Sequence, residues 1–230
     1  MENQISENEK VNESEPKTQY ADMAVKFKLL FIVSIISVAI HIIVFGLMAG
    51  IFLTTETASL VTSILYVTLK MTADVIICVI LFKLSRHNDG YKTAGIFYLI
   101  YSVLWNLIPL FSSLNNIFKN NNTWGNLSTI FITLTAIFNL LYALKLSDVM
   151  ISVFEPVSLA IKVDWTGFRQ WNKNVFIATL ICTPISVIPW IGYAALVASG
   201  IISAAGCIIF IWRFTIIFKS YKKMQEFSLS

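Results

Sequence analysis

Charged residues are scarce in this chain. They make up 13% of its 230 residues, whereas hydrophobic residues make up 57%. Soluble domains carry about 25% charged residues, because a folded chain needs them to cover its surface. The shortage therefore excludes an ordinary soluble domain and predicts an integral membrane protein.

Thiols are also few. The three cysteines, Cys78, Cys182 and Cys207, all lie inside apolar runs. Their number is odd and none forms a CxxC pair, which argues against a disulfide framework and against a thiolate metal site. We expect all three to be buried thiols.

Catalytic and nucleotide-binding motifs are missing from the sequence. It contains no GxxxxGK[ST] loop, no HExxH and no GxSxG, and no second intramembrane aspartate that could complete a protease dyad. Its basic residues are spread along the chain rather than gathered into a nucleic-acid-binding patch. We therefore expect no catalytic residue, metal site or cofactor, no nucleic-acid partner and no enzymatic activity.

Long apolar runs dominate what is present. Each of four runs is close to the roughly 20 residues that a helix needs to cross a bilayer. A fifth stretch of 45 residues is too long for one crossing and predicts two spans, with a turn near the small residues Tyr193–Ser199. The fold class is then an all-α, polytopic membrane helix bundle with about six transmembrane helices. The runs are residues 29–53, 59–82, 94–117, 127–146 and 174–218.

Five segments follow from this pattern. The first holds six acidic residues and little that would pack in a core, so it predicts disorder. The segments are a disordered acidic cytoplasmic tail (1–25), transmembrane helices 1–4 (26–147), an amphipathic interfacial segment (148–173), transmembrane helices 5–6 (174–218) and a short basic cytoplasmic tail (219–230).

The interfacial segment alternates polar and apolar side chains at helical spacing, and we expect a break near Pro156. Three aromatic residues follow the break, Trp165, Phe168 and Trp171, a composition typical of the headgroup level of a membrane. The alternative is a loop that packs against the helices.

Lysine and arginine are unevenly divided between the two sides of the expected spans. Fifteen lie on one side and only Lys119 on the other, with Lys70 inside a span. Because cytoplasmic loops are enriched in these residues, the rich side is the cytoplasmic one. Both termini are then cytoplasmic, and the cell membrane is the expected location.

Two charges lie near the middle of the second span. Lys70 and Asp74 are four residues apart, so they share one helix face and can form an ion pair within the helix. An intramembrane charge is usually functional, which would make Asp74 a proton or cation site. The alternative is an ion pair that only locks helix packing.

Other spans have polar residues at a similar depth. They are His41 in the first span, Asn106 in the third and Asn139 in the fourth. Pro109 would loosen the third span at this level. This layer is either a substrate pathway or a set of interhelical hydrogen bonds.

The leading hypothesis is a transport-related protein. It is either a small carrier or a membrane permease subunit that works with a partner membrane protein or a separate nucleotide-binding subunit, embedded in the lipid bilayer. The alternative is a non-transporting membrane protein with an accessory, assembly or self-protection (immunity-type) role.

Overall fold

The computed structural model describes the backbone of residues 2–50, 56–117, 123–185 and 192–229. These ranges form helices and contain no strand, as the sequence predicted for an all-α fold. The helices are α1 (Glu2–Gly50), α2 (Glu56–Leu84), α3 (Gly90–Ile117), α4 (Thr123–Phe154), α5 (Leu159–Ile185) and α6 (Gly192–Leu229).

Within the described ranges, five helices are long and apolar enough to cross a membrane. The shortest of these stretches has 25 residues, or about 37 Å at the rise of an α-helix, against a hydrocarbon core of about 30 Å. The chain is therefore an integral membrane protein by length and composition. The stretches are Lys17–Val44, Leu60–Leu84, Gly90–Leu114, Ile130–Phe154 and Gly200–Leu229.

The expected fifth span begins on α5. The first half of this helix carries Lys162, Asp164, Arg169 and Lys173, and its second half is apolar up to Ile185. The continuation of that apolar part lies outside the described residues. Six spans thus stay a prediction.

The start of α1 differs from the sequence-based expectation. Helical backbone begins at Glu2 and continues to Gly50 without a break, whereas residues 1–25 were expected to be disordered. Glutamate, lysine and glutamine are good helix formers, and extending an existing helix needs no new nucleation. The polar tail is helical in the structure for this reason.

The region around Pro156 does not form an element of its own. The predicted break is present, because α4 ends at Phe154 and α5 begins at Leu159. Residues 148–154, however, extend the fourth predicted span, and residues 159–173 are continuous with the apolar half of α5. The expected interfacial segment is therefore divided between two long helices.

Residues 186–191, just before Tyr193, lie outside the described residues, so the turn expected near Tyr193 stays a prediction. Helix α6 starts at Gly192, so the small residues Tyr193–Ser199 are helical. Alanine has the highest helix propensity, and a sequence rich in it continues a helix rather than ending one. Residues 219–229, expected to be a tail, also belong to α6.

The chain divides into two units. The first, here called the Asp74 unit, comprises Ile32–Ser85 and Asp89–Lys145, and the second, the Trp165 unit, comprises Met1–Phe31, Arg86–Asn88 and Leu146–Ser230. In the Asp74 unit α2 packs against α3. Gly95 allows the close approach, because a Cβ atom there would lie 3.3 Å from the Cβ of Leu81.

In the Trp165 unit α5 packs against α6. Trp165 is 0% exposed and donates from Nε1 to Ser220 Oγ over 3.0 Å. Phe168, also buried, contacts Trp165 and Trp212 edge to face. Trp165 and Phe168 are thus covered by protein, whereas Trp171 is exposed, and the headgroup level of these rings stays a prediction.

The cysteines differ in their burial. Cys78 is buried, as expected, but Cys207 is exposed on α6 and corrects the prediction of three buried thiols. A thiol is nearly apolar and tolerates a surface that faces lipid. The side chain of Cys182 lies outside the described residues.

Candidate functional site

Asp74 and Lys70 form the predicted ion pair. The Lys70 Nζ lies 2.6 Å from Asp74 Oδ1 and 2.7 Å from Oδ2. Both residues are buried, with 1% of Asp74 and 7% of Lys70 exposed. The four-residue spacing on α2 places lysine and carboxylate on the same helix face.

Helix α3 supplies three further donors to this carboxylate. Tyr98 Oη donates to Oδ1 over 2.8 Å, Ser102 Oγ to Oδ2 over 2.7 Å, and Asn106 Nδ2 to Oδ2 over 3.0 Å. The three residues are four positions apart, so they form one stripe of α3. Ser37 of α1 adds a longer contact of 3.4 Å to Oδ1.

The site is built to hold an ionised carboxylate. All the hydrogen bonds described at Asp74 are donated to it, and Lys70 balances its charge. Burying an isolated charge costs several kcal/mol, and a charge partner with several charge-assisted hydrogen bonds offsets that cost. Helices α1, α2 and α3 thus converge on one neutral ion pair.

The Asn106 side chain has a fixed orientation. Its Nδ2 donates to the Ser102 carbonyl over 2.8 Å as well as to Asp74. Both partners are acceptors, so the amide nitrogen must face them and the amide oxygen must face away. That oxygen, Oδ1, is buried and has no hydrogen-bond partner among the described residues.

His41 belongs to a second polar contact in the same unit. Its Nδ1 lies 2.8 Å from Tyr66 Oη. The imidazole also lies near two aromatic rings, with centroids 5.6 Å from Tyr66 and 6.1 Å from Trp105. His41 is therefore oriented by an aromatic neighbourhood that includes residues of α2 and α3.

The five predicted site residues do not share a single set of the hydrogen bonds described here. Lys70, Asp74 and Asn106 come together, His41 pairs with Tyr66, and Asn139 is half-buried on α4 outside the hydrogen bonds of Asp74. The sequence analysis missed Ser37, Tyr98 and Ser102. For Tyr98 and Ser102 the four-residue spacing to Asn106 was the available signal.

Among the described residues, no three His, Cys, Asp or Glu side chains lie together as a metal site would require. Comparison of the chain with protein-family models, curated proteins and solved structures gives no match. Fold and site together define an integral membrane protein, helical through most of its described ranges, with a buried and hydrogen-bonded ion pair in one of its two units.

Proposed function

We propose that the protein is a transport-related membrane protein of the plasma membrane, with six spans and cytoplasmic termini, in which Asp74 is the coupling carboxylate. It acts as a small carrier or as the permease subunit of a complex. The observation that supports this most is the convergence of donors from α1, α2 and α3 on one buried carboxylate. Intramembrane carboxylates of this kind commonly mark proton or ion pathways.

Protonation of Asp74 would change the contacts of all three helices. A protonated carboxyl loses its charge and gains a hydrogen that needs an acceptor, so one of the hydroxyl groups that now donates to Asp74 would have to rotate and accept instead. Lys70 would lose its counter-charge, and Tyr98 and Ser102 would lose a strong acceptor. A proton or a substrate cation at Asp74 thereby alters helix packing, which is what a coupled carrier requires.

Removing both charges tests the proposal. The double variant Lys70→Met/Asp74→Asn leaves no unpaired charge, and its new amide has an oxygen that can accept from Ser102 and Asn106 and an NH₂ group that can donate to the Tyr98 hydroxyl, so we expect near-normal membrane yield. We expect it to lose function all the same. The measurement is rescue of a deletion phenotype in the native host, scored beside membrane yield, and the matched control is Thr72→Val on the exposed face of α2.

The single variant Asp74→Asn should also lose function while it is still expressed. If the double variant rescues the deletion fully, the ion pair is a packing element and the carrier proposal is wrong. If Asp74→Asn is normal in both function and yield, Asp74 is not the site at all.

A non-transporting accessory, assembly or immunity-type role is the second candidate. It is favoured by the number of hydrogen bonds that Asp74 accepts. A carboxylate that already accepts from Lys70 and from three donors on α3 needs no ligand. Purification from the native host in mild detergent, with mass spectrometry of the co-purifying chains, distinguishes a permease subunit from a protein that works alone. A stoichiometric nucleotide-binding chain identifies a permease subunit, whereas the protein alone favours a carrier or a protective factor.

A further inference from the structure

The Lys70 ammonium lies where a bound cation would lie at Asp74. Its Nζ is 2.6 Å from Oδ1 and 2.7 Å from Oδ2, so it contacts both carboxylate oxygens. The donors that α3 supplies, Tyr98, Ser102 and Asn106, are neutral groups. A lysine ammonium is a compact charge at the end of a flexible chain. A small cation of the same charge is therefore the kind of ligand that can replace it.

Lys70 is also the group at this site that is most easily displaced. Its side chain has a long, flexible stem and is 9% exposed, whereas that of Asp74 is 1% exposed. Tyr98 and Ser102 are buried and have stiffer or shorter side chains. The Asn106 amide is held by a second hydrogen bond of 2.8 Å to the Ser102 carbonyl. A ligand that reaches Asp74 therefore displaces Lys70 and leaves the α3 donors beside the carboxylate.

The neighbours of Asp74 carry oxygens that suit a cation. Tyr98 Oη lies 2.8 Å from Oδ1 and Ser102 Oγ lies 2.7 Å from Oδ2, and each hydroxyl oxygen has lone pairs that can face a cation once its hydrogen rotates away. Asn106 Oδ1 is buried and has no hydrogen-bond partner among the described residues. It belongs to the amide whose nitrogen is 3.0 Å from Asp74 Oδ2, so rotation of that amide turns the oxygen toward the carboxylate. Carboxylate, hydroxyl and amide oxygens are the ligands of hard cations.

The charges at the site select the kind of cation. The Lys70–Asp74 pair is neutral overall. A monovalent cation that binds beside a charged Lys70 leaves a net buried charge, which is strongly unfavourable. The same cation leaves no net charge if the Lys70 Nζ gives up a proton. A divalent cation leaves one uncompensated charge even then, so the site favours monovalent cations.

We propose that a small monovalent cation such as Na⁺ or K⁺ binds Asp74 in exchange for one proton from Lys70. An N–H bond of the ammonium breaks, its electron pair stays on Nζ, the proton passes to water, and the cation takes the place of the ammonium on the carboxylate. The net charge of the site does not change. The inference rests on the proposed function and names its substrate class, because a carrier with this exchange moves a cation against a proton.

Other titratable side chains surround the pair, and their protons must be told apart from that of Lys70. They are Tyr66 and Cys78, one helical turn away on either side of the pair on α2, Tyr98 on α3, Tyr142 of α4 against Tyr98, and His41 of α1 against Tyr66. Histidine ordinarily titrates near pH 6.5 and tyrosine near pH 10, so a range of about pH 7.5 to 8.5 avoids both. The variant Cys78→Ala removes the thiol and should keep the exchange.

Two measurements on the detergent-purified wild type test the exchange. In weakly buffered solution with a pH-indicator dye, we expect NaCl or KCl to release about one proton per protein, because a bound metal ion displaces protons from its site. Choline chloride at equal ionic strength should release none, since choline is too large for the site. The melting temperature is then followed against cation concentration, because a ligand of the folded state raises it. We expect the half-saturating concentration to fall about tenfold from pH 7.5 to 8.5, since one proton leaves for each cation bound.

Variants of α2 assign the proton to Lys70. Lys70→Arg keeps a positive charge beside Asp74, but a guanidinium does not give up its proton, so this variant should lose both the proton release and the cation effect. The matched control is Lys83→Arg on the exposed face of the same helix, which should behave like the wild type. The double variant Lys70→Met/Asp74→Asn removes the carboxylate and should show no cation effect. The wild-type measurements stand even if Lys70→Arg does not fold.

The inference is overturned by a wild type with equal melting temperatures in Na⁺, K⁺ and choline, or by a cation effect that releases no proton. Persistent proton release in Lys70→Arg overturns it as well, since another group would then supply the proton. Its failure differs from failure of the carrier proposal. If no exchange occurs and the double variant fails to rescue the deletion, only the exchange is refuted. If exchange occurs and the double variant rescues the deletion, only the carrier is refuted.

Discussion

At residue scale, the molecule concentrates its polar chemistry on a few side chains of α2 and α3. The Asp74 carboxylate is held by one charge and by three donors that recur every fourth residue of α3. Lys70 and Asp74 were predictable because a charge in an apolar run is conspicuous and a four-residue spacing implies a pair. Ser102 and Tyr98 were not singled out, since such residues are common in membrane helices and only their partner gives them a role.

Ser102→Ala should destabilise the protein. It removes a donor 2.7 Å from Asp74 Oδ2, and hydrogen bonds to charged groups contribute about 1.5–3 kcal/mol. We expect the melting temperature in detergent to fall by about 5 °C. Ser112→Ala, on the exposed face of the same helix, should leave it unchanged. Equal melting temperatures for both variants would show that this hydrogen bond does not stabilise the fold.

At the scale of elements, helix ends are where sequence and structure differ. The break near Pro156 was predictable, because proline and its preceding residue disfavour helix. The helical state of residues 2–25 and 219–229 was not, because polarity alone does not distinguish a solvated helix from an irregular tail. The burial of Trp165 depends on α6, a helix distant in sequence that no local pattern places against it.

Trp165→Ala should weaken the contact between α5 and α6. It removes a fully buried indole and its hydrogen bond to Ser220, and truncating a buried tryptophan costs roughly 3–5 kcal/mol. Limited proteolysis and thermal unfolding in detergent both measure the loss. The matched control is Trp171→Ala on the same helix, where the side chain is 53% exposed and truncation should have little effect. Equal losses in the two variants would rule out a special role for the Trp165 contact.

The turn between α4 and α5 predicts a titration. The Lys162 ammonium, hydrogen-bonded to Glu155, holds the pKa of that carboxylate below its usual value of 4.5. The ion pair is therefore present at neutral pH and is lost as the pH falls through this lowered pKa. Lys162→Met should raise the Glu155 pKa toward 4.5. Carboxyl ¹³C NMR measures the change, and an unaltered pKa would mean that the pair does not form in solution.

At the scale of the whole molecule, hydropathy identified a membrane protein and the distribution of lysine and arginine predicts its orientation. Five helices meet the requirements of a membrane span. The division into the Asp74 and Trp165 units was not predictable from sequence. The division depends on which helices pack against each other, and hydrophobic runs of similar composition do not show which helices will pack together.

The orientation predicts where reporters will lie. A reporter fused after Ser230 should be cytoplasmic, and one inserted near Asn122 should be on the outside. Fifteen lysines and arginines lie on the predicted cytoplasmic side, whereas Lys119, close to Asn122, is the only one on the other side. Alkaline phosphatase and green fluorescent protein fusions report the two sides. If both positions report the same side, the six-span topology is wrong.

The close approach of α2 and α3 at Gly95 would also allow an engineered disulfide between the two helices. A Cβ atom at position 95 would lie 3.3 Å from the Cβ of Leu81, a little less than the separation of about 3.8 Å that a disulfide spans. Cysteines at these two positions would therefore join the helices after a shift of a few tenths of an ångström. Oxidising and reducing that bridge would clamp and release the helices that hold Asp74, and would show whether they must slide past each other for the protein to work.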